Sequence, residues 1–174
     1  AKHAIEAGAD IINDVSGLSF DKNMTGIVES LNVPIVIMHM KGNPQNMQLN
    51  PKYKDIVNEI LDFFKMKIKS AIQSGINRSK IILDPGIGFG KTVEHNFELL
   101  SRLNEFNVLE LPIMIGPSRK SFIGITLDLP PEDRVEGTAA AVSAGVMNGA
   151  SIVRVHDVKS MKRVVKIIDK IRNV

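Results

Sequence analysis

The chain has 174 residues, a length that suits one domain with a sizeable core. Apolar residues make up 44% of it and charged residues 24%, which is the composition of an ordinary globular protein. No apolar run approaches the roughly 18 residues that a membrane-spanning helix needs. Cysteine is absent, which excludes disulfides and thiolate metal sites and is compatible with a reducing cytoplasm, the location we expect.

The net charge of +3 is spread thinly along the chain. The densest basic segment, Lys159–Arg172, alternates with Val and Ile at helical spacing and predicts a solvated helix face rather than a nucleic-acid surface. Aromatic residues, on which bases could stack, make up only 5% of the chain. We therefore expect no nucleic-acid and no membrane partner, whereas a small anionic substrate suits this charge.

Five apolar runs rich in β-branched residues predict strands at Asp10–Val15, Val33–His39, Lys80–Asp84, Leu111–Gly116 and Ala150–His156. Amphipathic segments predict helices at Lys22–Leu31, Pro51–Gly75 with Gly75 as C-cap, Thr92–Phe106 with Thr92 as N-cap, Asp133–Asn148 and Asp157–Asn173. Residues 2–7, before Gly8, are typical of the last turns of another helix. Strands that alternate with helices predict a parallel α/β sheet in a single domain, residues 1–174.

The most informative segment is 81–91, Ile-Ile-Leu-Asp-Pro-Gly-Ile-Gly-Phe-Gly-Lys. Its buried strand ends in a carboxylate, Asp84, and the following glycines allow a sharp turn close to that group. A Walker A loop would need glycine where Pro85 stands, and the spacing of the glycines also excludes the dinucleotide fingerprint. Because a charge at the mouth of a buried strand needs a partner, the segment predicts a ligand site, with a turn capped by Asp84 as the alternative.

Polar residues cluster where each predicted strand ends, and ligands of parallel α/β proteins bind outside those ends. Asp84 offers two acceptor oxygens to a ring edge with two adjacent N–H donors, and the amide of Asn13 suits the other edge. Lys120 brings positive charge from the fourth strand, as does its neighbour Arg119. Arg154 and His156, two positions apart after the fifth strand, are typical of an anion site.

Structural alternatives exist for several of these residues. Asn13–Asp14 could form an Asx-turn, and His39 is best interpreted as a satisfied histidine at a strand end. Arg119 could pair with a carboxylate such as Glu136 within the fold. No two of the four histidines have metal-ligand spacing.

Met38, Met40 and Met47 lie around the second strand and could either pack in the core or form a soft wall against a flat ring. The chain shows no Ser-His-Asp order, no paired-carboxylate motif and no HExxH motif. A site without an obvious protein nucleophile favours a transfer reaction in which charge is stabilised on a departing phosphate.

The strand-end motifs resemble those of the dihydropteroate synthase family, in the order of that family and over nearly the whole chain. The matching segments are Asp10–Gly17, Val36–Met40, Leu83–Lys91, Gly116–Gly124, Glu136–Thr138 and Val153–Asp157. The resemblance implies a TIM (β/α)8 barrel, of which this chain supplies about five C-terminal βα units, and therefore an N-terminally incomplete pterin-binding domain.

The resemblance also implies an activity, the transfer of the dihydropterin-methyl group from 6-hydroxymethyl-7,8-dihydropterin diphosphate to 4-aminobenzoate with release of pyrophosphate. In this family's pattern, Asn13, Asp84 and Met38 contact the pterin, and Lys120 contacts the same ring. Further roles follow from the same resemblance: Phe89 and Ser121 help to form the aminobenzoate site, Arg154 and His156 hold the diphosphate, and Lys120 acts with them as a catalytic residue.

The resemblance further implies a Mg²⁺ cofactor, whose Asn ligand lies in the N-terminal part that is missing here, so no metal ligand is expected in this chain. We expect a homodimer in the full-length form, with the small-residue helix at 138–147 as a possible interface, and little or no activity of the 174 residues alone. Sulfonamide drugs target this family.

Two other functions fit part of the pattern. A corrinoid-dependent methyltransferase that acts on methyltetrahydrofolate shares the barrel and the pterin carboxylate but does not need the Arg154 and His156 pair. A non-catalytic pterin-binding remnant would bind ligand without turnover.

Overall fold

The computed structural model describes residues 1–43, 45, 47 and 49–174. Five strands alternate with helices in the described chain. The strands are β1 (Ile12–Asp14), β2 (Ile35–Met38), β3 (Ile81–Asp84), β4 (Met114–Ile115) and β5 (Ile152–Val153). The α-helices are α1 (Lys2–Glu6), α2 (Met24–Leu31), α3 (Ile56–Gln73), α4 (Val93–Ser101), α5 (Ser121–Leu127), α6 (Val135–Met147) and α7 (Val158–Arg172).

Each strand lies inside a run that the sequence predicted, although each is shorter than its run. The helix predicted at 92–106 is in fact α4 followed by the 3-10 helix Leu103–Leu109. The sequence reading missed helix α5 and the two short 3-10 helices Arg78–Lys80 and Pro131–Asp133. Helix α5 has seven residues, too few for an amphipathic period to stand out from the loop around it.

All the strand pairings are parallel, and each strand lies beside the next one along the chain. β2 lies between β1 and β3, with Ile12 opposite Ile35 and Met38 opposite Asp84. A single bridge from Leu83 to Ile113 joins β3 to the β4–β5 pair. The predicted parallel α/β fold is therefore confirmed.

The two faces of the sheet have different roles. One face carries Ile35, Ile37, Ile81 and Leu83, which pack with the helices in the main core. The opposite face, called the site face below, carries a small apolar cluster of buried Val36, Ile82 and Met114, with Ile152 packed against it. Because strand side chains alternate, the residues two positions further along point the same way as this cluster.

Two predicted helix boundaries can be compared with the structure. Thr92 is the N-cap of α4 as predicted: its hydroxyl accepts from the backbone N–H of His95, and His95 Nδ1 accepts from the N–H of Thr92. The C-cap of α3 is Ser74, and the predicted Gly75 is the next residue, with a φ of +90° that suits glycine. No helix in the described part of the chain is long and apolar enough to cross a membrane.

Candidate functional site

Asp84 lies at the end of β3 on the site face, directly beyond Ile82. Its carboxylate is buried, with 4% of the residue exposed, and Oδ1 accepts from the N–H of Gly86 at 2.7 Å. Burial raises the pKa of Asp84, and the Gly86 N–H and the charges of Lys120, Lys91 and Arg154 oppose that rise. The turn capped by Asp84 is thus present, yet Oδ2 has no protein donor among the described residues and is left for a ligand.

The glycine loop 86–90 lets the backbone come close to this carboxylate. Gly86 has a φ of +71°, and a Cβ there would overlap the carbonyl oxygen of His39. Gly88 has a φ of +80°, and a Cβ there would meet the side chain of Lys120. Glycine at both positions therefore allows β2 and the lysine to pack against the loop.

Lys120 crosses from the start of α5 to the glycine loop. Its ammonium donates to the carbonyl of Ile87 and lies 4.0 Å from the centre of the Phe89 ring. Burial lowers the pKa of Lys120 to about 8, and the charge of Asp84 opposes that shift. The predicted residues Asp84, Phe89 and Lys120 are thus brought together on one side of the loop.

Lys91 is a site residue that the sequence reading missed. It is only 4% exposed, and its ammonium donates to the Phe89 carbonyl at 3.0 Å and lies 3.2 Å from His39 Nδ1. Burial lowers the pKa of Lys91 to about 7, with Asp84 opposing the shift. The only available signal was its place directly after the last glycine of the loop.

His39 is the satisfied strand-end histidine that the sequence predicted. It is 6% exposed, its backbone N–H donates to the Asp84 carbonyl at 2.9 Å, and its ring meets the Phe63 ring edge-on at 5.0 Å. Burial lowers the pKa of His39 to about 2, and the charge of Lys91 adds to the effect. Neutral His39 therefore accepts from Lys91 through Nδ1.

Arg154 and His156 follow β5 and are both exposed. The backbone N–H of Arg154 donates to Ile115, and its guanidinium lies over Gly116, where a Cβ would be 3.5 Å from Nε. Among the described residues, this guanidinium has neither a hydrogen bond nor an ion pair, so its forked donors are left for a ligand. His156 contacts Ser118 through both its backbone N–H and Nδ1, at 3.2 and 2.9 Å.

Arg119 pairs with a carboxylate within the fold, as the structural alternative predicted, but its partner is Asp157 and not Glu136. Nε lies 3.0 Å from Oδ2 and the terminal nitrogen 2.7 Å from Oδ1. The φ of Arg119 is +58°, and this turned backbone is held by Thr138 Oγ1, which accepts from its N–H, and by Arg134, which donates to its carbonyl. The charge of Arg119 is thus paired with that of Asp157. Lys120, in the same loop, has no ion-pair partner among the described residues, so its charge is available to a ligand.

Asn13 is exposed on the site face, opposite Val36, so its amide is accessible. The Asx-turn belongs to Asp14, whose carboxylate accepts from the backbone N–H groups of Ser16 at 2.9 Å and Leu18 at 2.6 Å. Met38 is 2% exposed and lies opposite Asp84 in the register.

Ser121 is exposed at the first position of α5, next to Lys120. Met40 and Met47 are half-buried. Within the described residues there is no group of three or more His, Asp or Glu side chains that could hold a metal ion.

The site therefore combines one buried carboxylate with the nearby basic side chains of Lys120, Lys91 and Arg154. Asp84 can accept from a ring edge rich in N–H groups, whereas Lys120 and Arg154 attract an anion. Phe89 and Met38 provide flat and soft apolar contacts. The arrangement suits an aromatic, N–H-rich molecule that bears a phosphate group.

A model of the family described as pterin binding enzymes matches residues 1–156 of this chain. The dihydropteroate synthase of Synechocystis sp. is 45% identical over 170 residues, which cover 97% of this chain and 59% of that protein. The chain thus spans about three fifths of the length of this relative.

Solved structures of dihydropteroate synthases are also similar to this chain. The Yersinia pestis dihydropteroate synthase, in a complex with a sulfonamide drug, has a TM-score of 0.96 and 40% identity, over 99% of this chain and 62% of that one. The Clostridium difficile dihydropteroate synthase, in the presence of pteroic acid, has a TM-score of 0.91 and 42% identity, over 98% of this chain and 62% of that one.

Proposed function

This chain belongs to the pterin-binding enzyme family, and from that premise we propose that it carries most of the site of a dihydropteroate synthase. In this reaction the bond between the pterin methylene carbon and the diphosphate oxygen breaks. The amine of 4-aminobenzoate forms the new C–N bond and loses a proton, and pyrophosphate is released. The single observation that supports this proposal most is the buried Asp84 carboxylate, which lies among the charges of Lys120, Lys91 and Arg154.

The pterin is proposed to bind on the site face. Asp84 is suited to accept from the adjacent N–H groups of the pyrimidine ring, and its ionised form makes the stronger hydrogen bonds. Asn13 lies across the sheet from it and suits the other ring edge, while Met38 packs next to Asp84. The Val36, Ile82 and Met114 cluster forms an apolar floor below the ring.

Arg154 and His156 are proposed to hold the diphosphate. Negative charge grows on this group as the bond to carbon breaks, so donors aimed at its oxygens stabilise the transition state more than the ground state. The unpaired guanidinium of Arg154 offers a fork of N–H donors for this purpose. No protein nucleophile is needed.

Lys120 is proposed to act between the two substrates. It reaches from α5 over the Phe89 ring to the glycine loop, with Ser121 as its neighbour. Phe89 offers a flat face to the ring of 4-aminobenzoate, and the serine hydroxyl and Lys120 offer donors to its polar groups. The relative with pteroic acid supports this arrangement, because that molecule joins the two ring systems.

For the fold we propose an eight-stranded barrel, of which this chain contributes five βα units. The consecutive order of the strands supports this, because a barrel adds each new strand beside the previous one. The exposed side chains of Ile11 and Val15, at 48% and 41%, flank the unpaired edge of β1. The edges of the described sheet would then pair with the strands that complete the barrel.

The remaining expectations also stay proposals. A Mg²⁺ cofactor, which the family resemblance implies, stays a proposal; the described residues include no group of three or more His, Asp or Glu side chains that could hold the ion. The proposed homodimer buries the apolar groove of α4, α5 and α6, where Phe97 is 44% and Leu127 46% exposed. The cytoplasmic location stays a prediction.

Calorimetric titration of the chain with 6-hydroxymethyl-7,8-dihydropterin diphosphate tests the proposal, with circular dichroism to confirm folding. We expect binding that methyltetrahydrofolate does not displace, since the rival methyltransferase would favour that ligand. A folded chain that prefers methyltetrahydrofolate would contradict the proposal. Turnover is then assayed with and without the N-terminal part of the Synechocystis relative fused to it; we expect product only from the fusion, whereas a non-catalytic remnant would give none.

A further inference from the structure

The hydroxyl of Ser118 is a buried group to which the proposed chemistry gives no role. Ser118 follows β4 and is 5% exposed. Its Oγ lies 3.2 Å from the backbone nitrogen and 2.9 Å from Nδ1 of His156. Among the described residues, these two atoms are the only hydrogen-bond partners of the Ser118 hydroxyl, and both belong to one residue of the proposed diphosphate site.

A count of protons decides which nitrogen of the neutral His156 ring bears hydrogen. The backbone N–H of His156 can only donate, so Ser118 Oγ accepts there. If Nδ1 also bore a proton, Oγ would accept twice and its own buried proton would have no partner, which is costly. If Nδ1 is bare, the hydroxyl donates to it and all three groups are satisfied, so the proton of the ring lies on Nε2.

A second contact holds the two loops in this register. The loop after β4 and the loop after β5 are also joined by Arg119 and Asp157, next in sequence to Ser118 and His156. The ion pair therefore keeps the Ser118 hydroxyl within reach of the His156 ring. His156 Nε2 has no hydrogen-bond partner in the described chain, and the residue is exposed, two positions after the exposed Arg154.

We propose that Ser118 is a positioning residue that selects the Nε2–H tautomer of His156 and so presents an N–H donor to the diphosphate of the substrate. The inference rests on the proposed function for the identity of the anion. With the other tautomer, the lone pair of Nε2 would face a phosphate oxygen and repel it. Ser118 thus acts through His156 and does not touch the substrate.

Nitrogen NMR of the chain with labelled histidine tests the tautomer directly. At a pH at which the ring is neutral, we expect the nitrogen chemical shifts of His156 to be those of a protonated Nε2 and a bare Nδ1. Ser118→Ala should give a mixture of both tautomers. A wild-type ring protonated on Nδ1 overturns the proposal without any variant.

Calorimetry with inorganic pyrophosphate tests the consequence for binding. We expect Ser118→Ala to weaken pyrophosphate binding by about 3- to 10-fold, the effect of one neutral hydrogen bond. The matched control is Ser143→Ala, which removes a hydroxyl bonded within α6 to Ala139 and should leave the affinity unchanged. An equal loss in the control would overturn the proposal.

A double-variant cycle separates positioning from general support of the fold. In the His156→Ala background, Ser118→Ala should cause no further loss of pyrophosphate affinity. An equal loss in both backgrounds would show that Ser118 acts on the fold and would overturn the proposal. If pyrophosphate binds but the pterin diphosphate does not, the proposed function fails while this role of Ser118 stands.

Discussion

Arg119 and Asp157 form a two-bond ion pair that joins the loop after β4 to the loop after β5. The bonds are 3.0 and 2.7 Å long, and the two residues are 38 positions apart in sequence. Arg119 is next in sequence to Lys120, and Asp157 is next to His156. The ion pair therefore ties the loop that carries Lys120 to the loop that carries His156.

Asp157→Asn should loosen this connection and weaken pyrophosphate binding. Because the two side chains are 33% and 23% exposed, the pair is partly screened, and we expect a loss of about 2- to 5-fold. The ratio of wild-type to variant affinity should shrink in about 1 M salt, where the screening length is short. Calorimetry at low and high salt measures this ratio. The control is Glu105→Gln, which breaks an ion pair with Arg102. A ratio that is independent of salt would contradict this prediction.

Asp84→Asn should weaken binding of the pterin diphosphate by about 10- to 100-fold, since two hydrogen bonds to a charged acceptor are replaced by weaker or clashing contacts. The amide oxygen can still accept from Gly86, so we expect the fold to be kept. Calorimetry measures the affinity and circular dichroism the fold. Asp128→Asn, at an exposed helix end with a φ of +55° that Asn tolerates, is the matched control. Equal affinities for wild type and Asp84→Asn would exclude Asp84 from the site.

The buried Lys91 should make stability depend on pH. Burial lowers its pKa in the native chain from 10.5 to about 7, so between these values the unfolded chain binds a proton that the native chain has released. Stability therefore rises with pH through this window, and the gain is lost as the pH falls towards 7.

Lys91→Met removes the titrating amine, so a comparison with wild type isolates the effect of this amine on stability. We compare free energies of unfolding in urea at about pH 7, near the pKa of Lys91 in the native chain, and at about pH 9.5, below the pKa of the lysine in the unfolded chain. Relative to the variant, wild type should gain about 1 kcal/mol or more at the higher pH. The loss of the hydrogen bond to the Phe89 carbonyl adds a term that does not change with pH. A difference that is the same at both pH values would show that Lys91 is not a neutral buried amine.

Gly86→Ala should destabilise the fold strongly, because its Cβ would overlap the carbonyl oxygen of His39 and its φ is +71°. We expect a loss of about 2–5 kcal/mol in the free energy of unfolding, measured in urea. The matched control is Gly26→Ala in α2, where a Cβ would have no atom within 4 Å, and we expect a gain of up to about 1 kcal/mol there. Similar values for the two variants would mean that the loop can move away from β2.

Much of the fold could be predicted because its signals are local. The five strands are continuous apolar runs, and the N-cap of α4 follows from one hydroxyl, that of Thr92. The missed helix α5 has only seven residues, and its start follows the turned backbone of Arg119, which depends on Thr138 in α6 and on Arg134, the residue before α6. No local pattern reports a conformation that distant residues hold in place.

The candidate site, like the fold, could be predicted only in part from the sequence. The sequence by itself determined which polar residues stand at the strand ends, since parallel strands place their carboxyl ends together. It did not determine their partners: Arg119 pairs with Asp157 rather than Glu136, Lys91 is buried beside His39, and Ser118 meets His156. These pairings depend on the rotation of each loop about its strand end, and the free energy that selects them comes from burial and hydrogen bonds between segments far apart in sequence. Only the tertiary structure decides them.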